Sequence, residues 1–255
     1  MPYDELVATL RAAGCVFAED EARVLTEAAA DGAELARMLA ERVLGTPLEL
    51  VVGFADFCGI RVAVAPGVFV PRQRSSALVR AARAGLAPGD VVVDLCCGTG
   101  ALGAAMLAAM PGLEVYAADL DPDAVACARR NLPADRVFEG DLYAPLPDAL
   151  RGRVAALVVN APYVPTDDIA LMPPEARDHE HRVALDGGAD GLDVQRGVVA
   201  GARDWLAPGG RLLIETSVAQ APMTAALMTA AGLAADVVRD DDVDGTVVAG
   251  LRPRT

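Results

Sequence analysis

From about residue 86 onward the chain alternates short apolar runs with alanine-rich stretches, and that alternation constrains its fold more than any other feature. The runs at 91–95, 114–118, 136–139, 155–160 and 211–216 have the length and branched aliphatic content of buried strands. Residues 101–110, 122–131, 194–205 and 219–231 carry apolar side chains at three- and four-residue spacing, which predicts helices. Strand and helix in turn predict an α/β fold with a mostly parallel, doubly wound sheet. Two more strands, 234–239 and 246–251, have no helix between them. They are expected to form an end hairpin, with an antiparallel terminal strand.

Upstream, residues 4–13, 19–30 and 33–43 read as helices, punctuated by Gly14, Gly32 and Gly45-Thr46-Pro47. Residues 48–54 and 60–64 read as two strands joined through 55–59, a hairpin. The expected organisation is a small helical region over 1–47, a linking β-hairpin over 48–72 and an α/β domain over 73–255.

The glycine-rich turn lies after the first strand of that domain. Val91-Val92-Val93-Asp94-Leu95 runs directly into Cys96-Cys97-Gly98-Thr99-Gly100, and a helix follows. A turn of this kind lets a ligand approach the backbone and the helix N-terminus. The next two strands end in Asp119-Leu120 and, after Glu139-Gly140, in Asp141-Leu142. Three consecutive strands therefore deliver an acid to one sheet edge, which strand-end capping alone does not require.

Gly98-Thr99-Gly100-Ala101-Leu102-Gly103 matches the dinucleotide pattern G-x-G-x-x-G literally. Two details argue against a nicotinamide cofactor. The glycines begin four residues beyond Asp94 rather than at the strand end. An acid at Asp94 would also oppose a diphosphate, whereas it suits a cationic amino group. S-adenosylmethionine carries an ammonium, a ribose and an adenine, with no phosphate. Asp94 is expected toward its methionine end, Asp119 on the ribose and Asp141 near the adenine amine.

A second feature follows the run Ala155–Val159, where Asn160-Ala161-Pro162-Tyr163 leaves the carboxyl edge of the sheet. A turn would use Asn and Pro as well. An Asn carbonyl, a backbone carbonyl at Ala161 and an aromatic face at Tyr163 also suit a planar amino or amide group.

The formal charge, from 22 basic and 36 acidic residues, is −14, which disfavours long or duplex nucleic acid as a partner. The sequence has no apolar run of membrane-spanning length, so no membrane partner is expected. Met1-Pro2-Tyr3-Asp4-Glu5 carries acids where a signal peptide would be basic. The five cysteines (Cys15, Cys58, Cys96, Cys97 and Cys127) include no CxxC pair, which fits a reducing cytoplasm.

Together, Asp94–Gly100 and Asn160–Tyr163 resemble motifs one and four of the amino-methylating class I methyltransferases. More narrowly, the chain resembles the protein-(glutamine-N5) methyltransferases, which modify translation release factors or a ribosomal protein. Val70-Pro71-Arg72, the segment from Arg182 to Leu192, Leu206-Ala207-Pro208-Gly209-Gly210 and the pair Glu215 and Gln220 resemble that family too. The resemblance implies a Rossmann-like class I methyltransferase fold, S-adenosylmethionine as cofactor and a protein substrate recognised with help from the helical N-terminal region. It implies catalytic roles for Asn160, Pro162 and Tyr163, and substrate contacts from Asn160, Ala161 and Tyr163. Cofactor contacts are expected from Asp94, Cys96, Gly98, Gly100, Asp119, Leu120, Asp141, Leu142 and Asn160.

The chain departs from the family at three places. Ala161 replaces the first proline of Asn-Pro-Pro-Tyr, which keeps the carbonyl but loosens the loop. Cys96 stands where many members have the first glycine, and the helical N-terminal region is shorter. The same tetrapeptide suits an N-methyltransferase of an adenine base or a small natural product, and Ala161 suits a cofactor-binding relative without turnover. Arg72 is a candidate for the cofactor carboxylate or a partner protein, and equally reads as a solvated arginine. His179-Glu180-His181 is too short a cluster for a metal site and reads as a surface loop that closes over substrate.

Overall fold

The computed structural model describes residues 1–254. Four helices open the chain: α1 (Tyr3–Ala12), α2 (Ala18–Ala28), α3 (Gly32–Val43) and α4 (Leu48–Val52). They share their own apolar cluster, built on Leu6, Leu10, Leu25, Met38 and Val51. The strand expected over 48–54 is therefore corrected. Glu49 sits in the first turn of α4, and Gly53, at φ +81°, closes it with an N–H bond to the Glu49 carbonyl. Val51 and its neighbours have β-propensity, but packing against the other helices overrides it.

A short hairpin follows, β1 (Phe54–Phe57) against β2 (Ile60–Ala63). Then come α5 (Ser76–Arg83), which sequence periodicity did not reveal, β3 (Val91–Leu95), α6 (Ala101–Ala109), β4 (Glu114–Asp119), α7 (Pro122–Ala128) and β5 (Val137–Glu139). The second half comprises β6 (Val154–Val159), the unexpected short helix α8 (Pro174–His179), α9 (Asp193–Trp205), β7 (Leu206–Glu215), α10 (Ala221–Ala230), β8 (Ala234–Asp240) and β9 (Gly245–Leu251).

The main sheet has the order β5-β4-β3-β6-β7-β9-β8. Pairs from β5 through β7 are parallel, and the last strand, β9, inserts antiparallel between β7 and the edge strand β8. Strand alternation divides the core. Val92 of β3 faces one cluster with α5 and α6, while Val91, Val93 and Leu95 face the other with α9. The order reverses between β3 and β6, which opens a crevice above their carboxyl ends. No described helix is long and apolar enough to cross a membrane.

Candidate active site

A cavity of about 200 Å³ occupies that crevice. Its wall includes Cys96, Gly98, Asp119, Leu120, Asp141 and Leu142 on one side. Asn160, Ala161, Pro162 and Tyr163 stand on the other, with Arg74 and Ser75. Ten of the residues expected from sequence thus meet in one place, although they come from three strand ends and a loop.

Two expected contacts do not line it. Asp94 is fully buried, at 0% exposure, and its Oδ2 accepts the Gly103 N–H at 2.9 Å. The direct contact with a methionine ammonium expected for Asp94 is corrected accordingly. Asp94 lies one residue before the end of β3, between two parallel neighbours, so its side chain points into the α6 face rather than out of the edge. Burial pushes its pKa up to about 8, against the pull of the Gly103 N–H, and its Oδ1 has no partner. Gly100 is also behind the wall. It has φ +74°, and a β-carbon there would stand 2.9 Å from Leu132 Cδ1, so its role is close packing of the turn.

The turn itself speaks to ligand class. The Gly98 N–H already donates to Asp119 Oδ2 at 2.8 Å, and the Asp121 N–H donates to Asp119 Oδ1 at 2.9 Å. A loop amide held by a carboxylate is not presented to a phosphate, and the acid would repel one. Asp119 is half-buried, and desolvation raises its pKa while these backbone donors lower it. Two acids, Asp119 and Asp141, with a largely apolar wall fit S-adenosylmethionine and not a dinucleotide.

A methyltransferase small domain model matches residues 59–172. A release factor glutamine methyltransferase of Geobacter sulfurreducens is 35% identical over 201 residues, covering 76% of this chain and 69% of that protein. One of Mycolicibacterium smegmatis is 38% identical over 213 residues, covering 82% and 75%. The chain belongs to the release factor glutamine methyltransferase family. A Pyrococcus furiosus methyltransferase structure, 16% identical, superposes with a TM-score of 0.57 over 88% of this chain and 100% of that one, and shows the same fold.

In this release factor glutamine methyltransferase relative, the tetrapeptide is held from three sides. The Ala161 side chain packs into the sheet core. Gln220 Nε2 donates to the Tyr163 carbonyl at 2.9 Å and to the Asp190 carbonyl at 3.2 Å. Gly187 and Gly191 let the following segment lie backbone against backbone, because a β-carbon at Gly191 would stand 2.3 Å from the Tyr163 oxygen. Tyr163 is half-buried, and desolvation holds its phenol above the usual range.

Glu180 is not in a surface loop, as the sequence suggested. It is 7% exposed and takes Arg72 Nη2 at 2.5 Å and the Val70 N–H at 3.2 Å. Burial raises its pKa, and Arg72 opposes that rise. Arg72 therefore ties the segment before the core to the segment after the tetrapeptide. The Gly67 N–H donates to the His179 carbonyl and the His181 N–H to the Gly67 carbonyl, which extends the same strap. Arg74 and Ser75 also line the cavity, and Glu215 is buried behind them, accepting from Arg74 Nε at 3.3 Å. Their sequence neighbourhood resembled the family, but no local pattern assigned them to Asn160.

Proposed function

We propose that the protein transfers a methyl group from S-adenosylmethionine to the side-chain N5 of a glutamine in a protein, most simply a translation release factor. Asn160–Tyr163 opens onto the same cavity as Asp119 and Asp141, and that juxtaposition carries the reading. Family membership supports it. When bound, S-adenosylmethionine supplies a methyl group on a sulfonium, an electrophile that needs no metal.

An amide nitrogen is a poor nucleophile because its lone pair is delocalised into the carbonyl. Asn160 Oδ1 and the Ala161 carbonyl accept the two amide N–H groups, fix the rotation about the C–N bond and polarise the nitrogen toward attack. Tyr163 packs on the amide plane and excludes water. Asp119 binds the ribose hydroxyls, Asp141 the adenine end, and Leu120 and Leu142 flank the base. Cys96 and Gly98 line the turn beside them, whereas Asp94 and Gly100 support that turn from behind. The helices over residues 3–52 present a surface for the protein substrate. Five unpaired cysteines fit a reducing, cytoplasmic setting.

The test combines purified protein, labelled S-adenosylmethionine and purified release factors, with mass spectrometry to locate the methyl group. Label on a release-factor glutamine is expected, lost by about 100-fold or more in Asn160→Ala. Label confined to nucleic acid or small molecules of a lysate would reject the protein substrate.

A further inference from the structure

We infer that Arg74 holds the carboxylate at the methionine end of S-adenosylmethionine. The inference rests on that cofactor as the occupant of the cavity. The cofactor carries one carboxylate, and a carboxylate moved from water into a largely apolar site needs a cation or several N–H donors. Among the described residues, Arg74 is the only basic side chain on the cavity wall. Arg72, two positions earlier, does not line it and is committed to Glu180 at 2.5 Å. The arginine that sequence offered for the carboxylate is thus spent on the strap, and Arg74 faces the cavity instead.

The position of Arg74 selects the part of the cofactor it can meet. Its Nη2 donates to the Tyr163 hydroxyl at 2.8 Å, and the adjacent Ser75 Oγ lies 3.4 Å from Asn160 Nδ2. The cation therefore stands beside the tetrapeptide, on the wall opposite Asp119 and Asp141. Ribose, methyl group and amino-acid tail leave a sulfonium in three different directions. With the ribose at Asp119 and the methyl group at Asn160, the tail is the substituent left for Arg74.

Donor count leaves room for it. A guanidinium has five N–H groups and accepts nothing. Arg74 Nε donates to Glu215 Oε1 at 3.3 Å and one Nη2–H goes to Tyr163, which leaves three N–H groups, two on Nη1 and one on Nη2. Glu215 is 2% exposed and does not line the cavity, so it pins the guanidinium from behind. The Arg74 side chain is 46% exposed, and its Nη edge can pair with both oxygens of a carboxylate.

Calorimetry on the full chain tests this with two ligands that differ only in the group concerned, S-adenosylhomocysteine and its decarboxylated form. Wild-type protein is expected to bind the decarboxylated form about 10- to 100-fold more weakly. Arg74→Met keeps much of the stem and should lose that discrimination. It should bind S-adenosylhomocysteine about 10- to 100-fold more weakly than wild type does, and the decarboxylated form no more weakly. Arg74→Lys, a charge without the fork, should fall between the two. Equal wild-type affinities for the two ligands would overturn the inference with no variant needed. So would discrimination that persists in Arg74→Met, or a variant that keeps cofactor affinity and raises KM for release factor alone, which would turn Arg74 toward the substrate. Binding is read without a methyl acceptor, so failure to label release factor counts against the glutamine reading and not against this one.

Discussion

Gly67 lies directly beneath the His181 imidazole, so close that a β-carbon at residue 67 would stand 2.2 Å from Nε2. Its φ of +81° is one that side chains rarely adopt. The two residues also exchange backbone contact, His181 N–H to the Gly67 carbonyl at 2.6 Å. They join the segment before the core to the segment after the tetrapeptide.

Gly67→Ala is accordingly expected to open this strap without unfolding the sheet. Amide hydrogen exchange should quicken over residues 67–72 and 179–186 while β3 and β6 stay protected. Uniform loss of protection would show that the strap is part of the global fold.

The His181 side chain also reaches Asp121, with Nδ1 at 2.7 Å from Oδ2. That hydrogen bond raises the His181 pKa, and the charges of Asp121 and Asp123 add to the rise. The folded-state pKa is thus above the unfolded value of about 6.5. The stabilising contact is fully present below that value and is lost as pH rises through the raised one. Proton NMR titration should show an elevated His181 pKa that falls toward the ordinary value in Asp121→Asn.

Asp94 has the opposite linkage. Its pKa, raised to about 8, lies above the unfolded value of about 3.9, so the folded state holds the proton over that interval. Stability therefore declines as pH rises from about 4 to about 8. Asp94→Asn keeps an acceptor for the Gly103 N–H and cannot ionise. Thermal melts of the cofactor-free protein should show the variant gaining on wild type across that range, by roughly 2 to 4 kcal/mol at neutral pH. Parallel stability curves would mean that Asp94 is ionised when buried.

Cys96 occupies left-handed backbone, at φ +55°. Cys96→Gly is expected to change stability by less than about 1 kcal/mol, because relieved strain offsets the greater freedom of the unfolded chain. Cys96→Val should cost about 2 kcal/mol, since a β-branched side chain is worst suited to positive φ. Chemical denaturation measures both, and equal losses would refute the backbone explanation.

Much of this arrangement was legible in the sequence because its signals are local. The branched aliphatic runs marked β3, β4, β6 and β7, and the acids Asp119 and Asp141 and the tetrapeptide at 160–163 were found from their place at strand ends. Residues 48–52 misled, since Leu and Val alone do not distinguish a strand from a helix docked on α1–α3. Helices α5 and α8 span only eight and six residues, too few for periodicity to stand out.

What the sequence determined by itself was the alternation that gives the sheet, the glycine turn after β3 and the chemical types gathered at the carboxyl edge. Tertiary structure decided which of those types meet the cavity. Asp94 and Asp119 look alike in sequence, but one points into the α6 face and the other ends its strand at the cavity. Arg74 and Glu215, 141 residues apart, meet only because β7 lies beside β6 and the segment preceding α5 runs over their ends. Periodicity reports which face a residue takes within its own element. Burial, donor count and the pairing of distant charges depend on how the elements are laid against one another.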